Sequence, residues 1–143
     1  MQIKLKRLDP RAVIPTRGSV AAAGSDLYAL ETVTVPAGGT AIVHTGIAVA
    51  IPEGYAGLIY ARSGLATKRS LAPANKVGVI DADYRGEIMV ALHNHGDRAE
   101  TVDAGERVAQ LVVTPFLSAT FEECDSLGET ERGTGGFGST GKM

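Results

Sequence analysis

Short apolar runs broken by glycine, proline and small polar residues dominate this chain, and they predict strands rather than long helices. Ile3 and Leu5 alternate with Lys4 and Lys6, the period-two pattern of a half-buried strand, and Asp9-Pro10 ends it. Residues 11–19 read as a loop. Residues 21–26 are alanine-rich like a helix start, but residues 27–30 and 32–35 behind them read as strands. Residues 36–39 make a turn, residues 40–43 and 47–51 two more strands, and Pro52-Glu53-Gly54 another turn. Residues 55–61 form the next strand. Residues 63–68 are the one convincing helical segment, one or two turns long. Residues 77–80 and 88–92 read as the two arms of a β-hairpin, the first largely buried and the second alternating. The hairpin tip carries Asp81, Asp83, Tyr84 and Arg85. Residues 101–105 form a turn, and residues 107–116 a long buried strand.

The pattern changes from about Ser118. Among residues 125–143 the large apolar side chains are Leu127, Phe137 and Met143. The run Arg132-Gly133-Thr134-Gly135-Gly136-Phe137-Gly138-Ser139-Thr140-Gly141 is too rich in glycine to order itself, because each glycine gives up much backbone freedom on folding. It reads as a disordered tail or as an arm that orders over a ligand, with backbone N–H groups approaching phosphates.

Composition narrows the classes. The chain has 143 residues, 44% of them apolar, enough for one domain with its own core. A net charge of −2 gives no global basic field, which argues against a non-specific nucleic-acid binder. An anionic ligand would have to be held by local arginines and backbone donors. The single cysteine, Cys124, cannot close an intrachain disulfide, and no apolar run has the length of a membrane span. The expectation is a soluble cytoplasmic protein with no membrane and no nucleic-acid partner.

Several local patterns carry chemistry. Asp81, at the end of an apolar strand, suits a general base, although two acids near a turn can equally be solvated loop residues. Ala61-Arg62-Ser63-Gly64-Leu65 sets a cation and a hydroxyl at a strand-to-helix junction; it is either an anion site or a plain cap by Ser63. His93 and His95 share a strand face and could contribute to zinc, yet no third ligand is evident. Gln110 interrupts an apolar run, either as a satisfied core amide or as a group reaching into a site. Gly136-Phe137-Gly138-Ser139-Thr140-Gly141-Lys142 has the spacing of a P-loop. It lacks the hydroxyl residue and the helix that motif needs, and the assignment is rejected.

Five segments, in order, resemble the five motifs of trimeric dUTP pyrophosphatases (dUTPases). They are Ala22-Ala23-Gly24-Ser25-Asp26-Leu27, Ala61-Arg62-Ser63-Gly64-Leu65, Gly78-Val79-Ile80-Asp81-Ala82-Asp83-Tyr84-Arg85-Gly86-Glu87, Gly105-Glu106-Arg107-Val108-Ala109-Gln110-Leu111 and Arg132-Gly133-Thr134-Gly135-Gly136-Phe137-Gly138. The resemblance implies an all-β, jelly-roll-like barrel or sandwich with one short helix. A β domain over residues 1–124 would carry a glycine-rich C-terminal arm over residues 125–143. Three chains would form a homotrimer with active sites at the subunit interfaces, the arm of one chain closing a site made by others. The implied reaction is Mg²⁺-dependent hydrolysis of dUTP to dUMP and pyrophosphate, which lowers dUTP and supplies dUMP for thymidylate synthesis.

By the same resemblance, Asp81 activates the water and Gln110 helps hold it or the α-phosphate. Tyr84 packs on the deoxyribose and leaves no room for a 2′-hydroxyl. Asn75 and the backbone of Val79, Ile80 and Asp81 read uracil, in a pocket lined by Met89. Arg62, Ser63, Gly64 and Arg132 hold phosphates, Phe137 with Gly138 covers the base, and Asp26 meets Mg²⁺ through water. Two alternatives are a dCTP deaminase of the same superfamily, disfavoured because residues 88–92 hold no acid, and a nucleotide-dependent regulatory binding protein.

Overall fold

The computed structural model describes residues 1–141. Lys142 and Met143, the end of the expected arm and of the P-loop-like spacing, lie outside the described residues. In chain order come β1 (Lys4–Arg7), β2 (Ser25–Tyr28), β3 (Val33–Val35), β4 (Thr40–His44), β5 (Ile47–Ala50) and β6 (Tyr55–Tyr60). Then follow α1 (Ser63–Arg69), β7 (Leu71–Pro73), β8 (Gly78–Ile80), β9 (Met89–Asn94), β10 (Glu100–Val102) and β11 (Arg107–Pro115). Strands pair antiparallel in four sheets, β2-β11-β6-β8, β4-β9-β7, β1-β5 and β3-β10.

The two larger sheets bury their inner faces against one core. Leu27, Ile59, Ile80 and Leu111 come from one, and Val43, Leu71, Val90 and Leu92 from the other. Alternation along the strands produces this arrangement: in β9, Val90, Leu92 and Asn94 point inward and are buried. Asn94 satisfies its buried amide by donating to the carbonyls of Val35, at 3.1 Å, and Arg98, at 2.6 Å. The all-β jelly-roll expectation holds in its sandwich form, and the sheets do not close into a barrel among the described residues.

One expected element is overturned. Residues 77–80 and 88–92 do not form a hairpin. β8 pairs with β6, whereas β9 pairs with β4 and β7, so the connection between them crosses from one sheet to the other. Nor is β8 buried throughout, since Val79 is 63% exposed between buried Gly78 and Ile80. The crossing segment is stitched to the turn between β4 and β5. Ile88 N donates to Ile47 O at 2.9 Å, Thr45 Oγ1 to Ile88 O at 2.5 Å, and Gly46 N to Glu87 Oε1 at 2.9 Å. Two strands with one buried face look alike locally whether they pair with each other or with different sheets.

Two short strands are absent from the sequence expectation. β7 ends in a proline on a sheet edge, where a missing N–H is tolerated, and β10 lies in a stretch read as a turn. Bounds differ by one or two residues elsewhere. β2 begins at Ser25 rather than 27, α1 runs on to Arg69, and β11 stops at Pro115 rather than 116. Beyond β11, residues 116–141 form no strand or helix, and Leu117, Phe121 and Leu127 are almost fully exposed.

Candidate active site

The expected site residues fall into three places. The first is a cavity of about 220 Å³ between the crossing segment and β8. Asn75, Val79, Ile80, Asp81, Tyr84 and Met89 all line it, so six residues expected to handle nucleoside and water meet in one chain. β8 is the edge strand of its sheet, so the main-chain groups on its open side have no strand partner. Asn75 stands on the tight turn before β8, which is closed by Lys76 N donating to Pro73 O at 3.0 Å. The Tyr84 hydroxyl donates to Glu87 O at 2.8 Å, which fixes the ring against the crossing segment. Gly86 lies beneath that ring, and a Cβ there would collide with the Tyr84 phenol, so a side chain at 86 would displace it. Asp81 stands at the lip, bordering both this cavity and a larger open concavity of about 930 Å³ that includes Leu58, Thr114 and Phe116.

The second place is an ionic cluster at the far end of the same sheet. Gln110 in β11 lies opposite Asp26 in β2 and Tyr60 in β6, which brings three of the sequence segments side by side. Asp26 Oδ1 accepts from Arg62 Nε at 2.9 Å, and Oδ2 from Arg107 Nη1 at 3.4 Å. Gln110 Nε2 donates to Ala61 O at 2.9 Å. Its amide leaves no space for a Cβ at Gly24, which accounts for the glycine in the first segment. Ser63 and Gly64 open α1 and are exposed. The cap residue of this helix is Arg62, with no side-chain cap bond, so the reading of Ser63 as a plain cap fails. Two guanidiniums on one carboxylate leave net positive charge facing solvent, the electrostatics of an anion site.

The third place is the arm. Arg132 Nε donates to Gly135 O at 2.7 Å, while Phe137 and Gly138 are exposed, both at positive φ. None of the three meets either of the other places. Asp81 and Gln110 are also apart. Gln110 pairs with Tyr60, whereas Ile80, beside Asp81, pairs with Gly57. Strand geometry puts Ile80 about 10 Å along and about 10 Å across the sheet from Gln110. One water cannot touch both groups within one chain.

The sequence reading assigned no part to two residues here. Arg107 shares Asp26 with Arg62, and Glu87 borders the nucleoside-sized cavity while its carboxylate turns away to His44 Nδ1 at 2.9 Å and Gly46 N. Both lie inside the recognised segments, but nothing local marks their partners 81 and 41 residues distant. Elsewhere the histidines make no ligand set. His93 Nδ1 bonds Thr40 Oγ1 at 2.9 Å, and His95 falls beyond the end of β9. Among the described residues no three His, Cys, Asp or Glu side chains are grouped to hold a metal.

Comparison with known proteins bears on these three places together. A family model described as dUTPase matches residues 11–141. The deoxyuridine 5′-triphosphate nucleotidohydrolase of Wolinella succinogenes is 49% identical over 142 residues, covering 99% of this chain and 95% of that protein. The Arabidopsis thaliana protein of the same name is 49% identical over 138 residues, covering 96% of this chain and 82% of its own. Among solved structures, a Staphylococcus bacteriophage 80alpha dUTPase with dUpNHpp superimposes with a TM-score of 0.91 at 30% identity, covering 98% of each chain. The match runs through all five segments and the fold that carries them, and the chain belongs to the dUTPase family.

Proposed function

We propose that the protein hydrolyses dUTP to dUMP and pyrophosphate, water attacking the α-phosphorus, in a homotrimer whose sites combine segments of different chains. The separation of the Asp81 cavity from the Asp26–Arg62–Gln110 cluster carries this reading. Each holds half of what the reaction needs, and the two halves lie too far apart within one chain. Phe121, at 99% exposure, with Leu117 and Leu127, supports it from another side, because apolar side chains on an extended segment gain by packing on a neighbour.

In this assembly one chain supplies the cavity. The edge of β8 at Val79, Ile80 and Asp81, with the Asn75 amide, offers the donors and acceptors that the uracil edge requires. The bonded ring of Tyr84 packs where a 2′-hydroxyl would stand, and Met89 lines the wall. Asp81, at the lip, takes a proton from the attacking water. A second chain supplies Arg62, Ser63, Gly64 and Gln110 to the phosphates. The arm from residue 125 onward, leaving the β domain of residues 1–124, brings Arg132 to the γ-phosphate, with Phe137 and Gly138 over the base. The arm's exposure and its lack of contact with its own chain's cavity support this part.

The donor set also fits Mg²⁺. With no protein cage for a metal among the described residues, a cation would be carried by the triphosphate and by water, and Asp26 would meet it through a water. Mg²⁺ supplies neutralisation of charge on the transferring phosphoryl group. A cytoplasmic location suits a protein with one free, exposed cysteine and no helix, among the described residues, long and apolar enough to cross a membrane. No observation favours a deaminase. The carboxylate of Glu87, just ahead of β9, is committed to His44 and Gly46.

Pyrophosphate release measured across dUTP, dTTP, dCTP and UTP with Mg²⁺, alongside a solution mass, tests the proposal. Turnover of dUTP alone by a trimer is expected. Comparable rates on dTTP would remove the uracil-reading cavity, and full activity in a monomer would remove the shared site.

A further inference from the structure

A second cavity, of about 300 Å³, backs onto the crossing segment, lined by Asp9, Arg11, Glu31, His44 and Glu87 with the main chain around Gly46. Glu87 borders both this cavity and the nucleoside-sized one. Its carboxylate is bound on the outer side, Oε2 by His44 Nδ1 and Oε1 by Gly46 N, each at 2.9 Å. Its carbonyl oxygen accepts the Tyr84 hydroxyl on the inner side. The position of that carbonyl therefore depends on a clamp formed by another part of the fold, the corner between β4 and β5.

We propose that His44 and Glu87 are positioning residues that set the Tyr84 ring, and through it the discrimination of deoxyribose from ribose. The inference rests on Tyr84 being the sugar filter. His44 half-faces solvent, and the ionisable groups around it are Glu87 on the crossing segment, Asp9 and Arg11 after β1, and Glu31 after β2. Arg11 is bound by Asp9 at 2.9 Å and by Glu31 at 3.3 Å, which leaves Glu87 as the carboxylate hydrogen-bonded to the imidazole. The imidazole holds one carboxylate oxygen of Glu87 and Gly46 N holds the other, so the residue whose carbonyl receives the Tyr84 hydroxyl is tied down at both oxygens.

The test is the ratio of kcat/KM for dUTP to that for UTP, measured in the full chain. Glu87→Gln and His44→Ala are expected to lower the ratio about tenfold to a hundredfold, the range carried by a hydrogen bond to a charged group. His44→Asn, whose amide can replace the Nδ1 hydrogen bond to Glu87, is expected to restore most of the ratio that His44→Ala loses. Melting curves report folding, and His44→Ala on the surface keeps the test usable if Glu87→Gln fails to fold. A ratio that collapses in Tyr84→Ala but is unmoved in His44→Ala and Glu87→Gln overturns the clamp and leaves the filter standing. A ratio unmoved in Tyr84→Ala as well overturns the filter, and the inference with it.

Discussion

The nucleoside-sized cavity and the ionic cluster lie on one four-stranded sheet and are built in opposite ways. The cavity is continuous in sequence, residues 75–89 with Ile59 behind them, and its walls are held by main-chain bonds and by the Tyr84–Glu87–His44 chain. The cluster draws on residues 24–26, 61–64 and 107–110, and its charges satisfy one another, Asp26 standing between Arg62 and Arg107. A phosphate there would take over guanidinium bonds that now go to Asp26. The contrast suits the proposed division of dUTP between them: the base and sugar need a rigid shape to be told apart from near-copies, whereas the triphosphate needs charge that can be redirected.

The sharpest break of this comparison is Asp81→Ala, expected to cost ~10²–10⁴-fold in turnover while dUTP still binds, because in the proposed mechanism it removes only the general base. Single-turnover rates beside equilibrium binding check it. If the two places serve one site from different chains, Asp81→Ala and Arg62→Ala subunits, each inactive alone, should recover about a quarter of normal activity after random 1:1 mixing of chains. No recovery after verified subunit exchange would place both groups in one chain's site. Ending the chain after Glu131 is expected to lower turnover about 10²-fold through loss of Arg132, with the melting temperature and solution mass retained. Unfolding of that variant would make the arm structural.

Smaller effects separate the supports of each place. Gly24→Ala pushes a Cβ into the Gln110 amide, and the cost should be about 1–3 kcal/mol in urea unfolding, with weaker phosphate binding but unchanged dUTP-over-UTP selectivity. Asp9→Asn tests the outer wall of the second cavity. Hydrogen bonds from Arg11 lower the Asp9 carboxyl from 3.8 to about 2. The folded value lies below the unfolded one, so the stabilisation is fully present above about 4 and is lost as pH falls towards 2. The variant should therefore lose a little stability at neutral pH and nothing near pH 2. The pair is exposed, which keeps the effect the smallest of the series.

Of the cavity, Asp81 was legible from its place at the end of an apolar run, whereas Asn75 and Met89 were named only through the family resemblance. The strand before Asp81 was read as a mostly buried hairpin arm, and it is an edge strand with Val79 exposed. The cluster was legible only as separate fragments. Asp26, Arg62 and Arg107 become partners through the register of β2, β11 and β6, and register is set by which faces are buried, not by spacing along the chain. Nothing in the sequence singled out His44, since its partner Glu87 lies 43 residues away and meets it at a sheet corner.

By itself the sequence determined the strand-rich class, the single short helix and the glycine-rich composition of the C-terminal stretch. These follow from local periodicity and from residue chemistry, which need no partner. Only the tertiary structure decided that β8 and β9 belong to different sheets, that Asp81 and Gln110 stand apart, and that Glu87 joins two cavities. Each of those depends on which distant strands share an edge, and backbone hydrogen bonding between strands is indifferent to the distance along the chain that separates them.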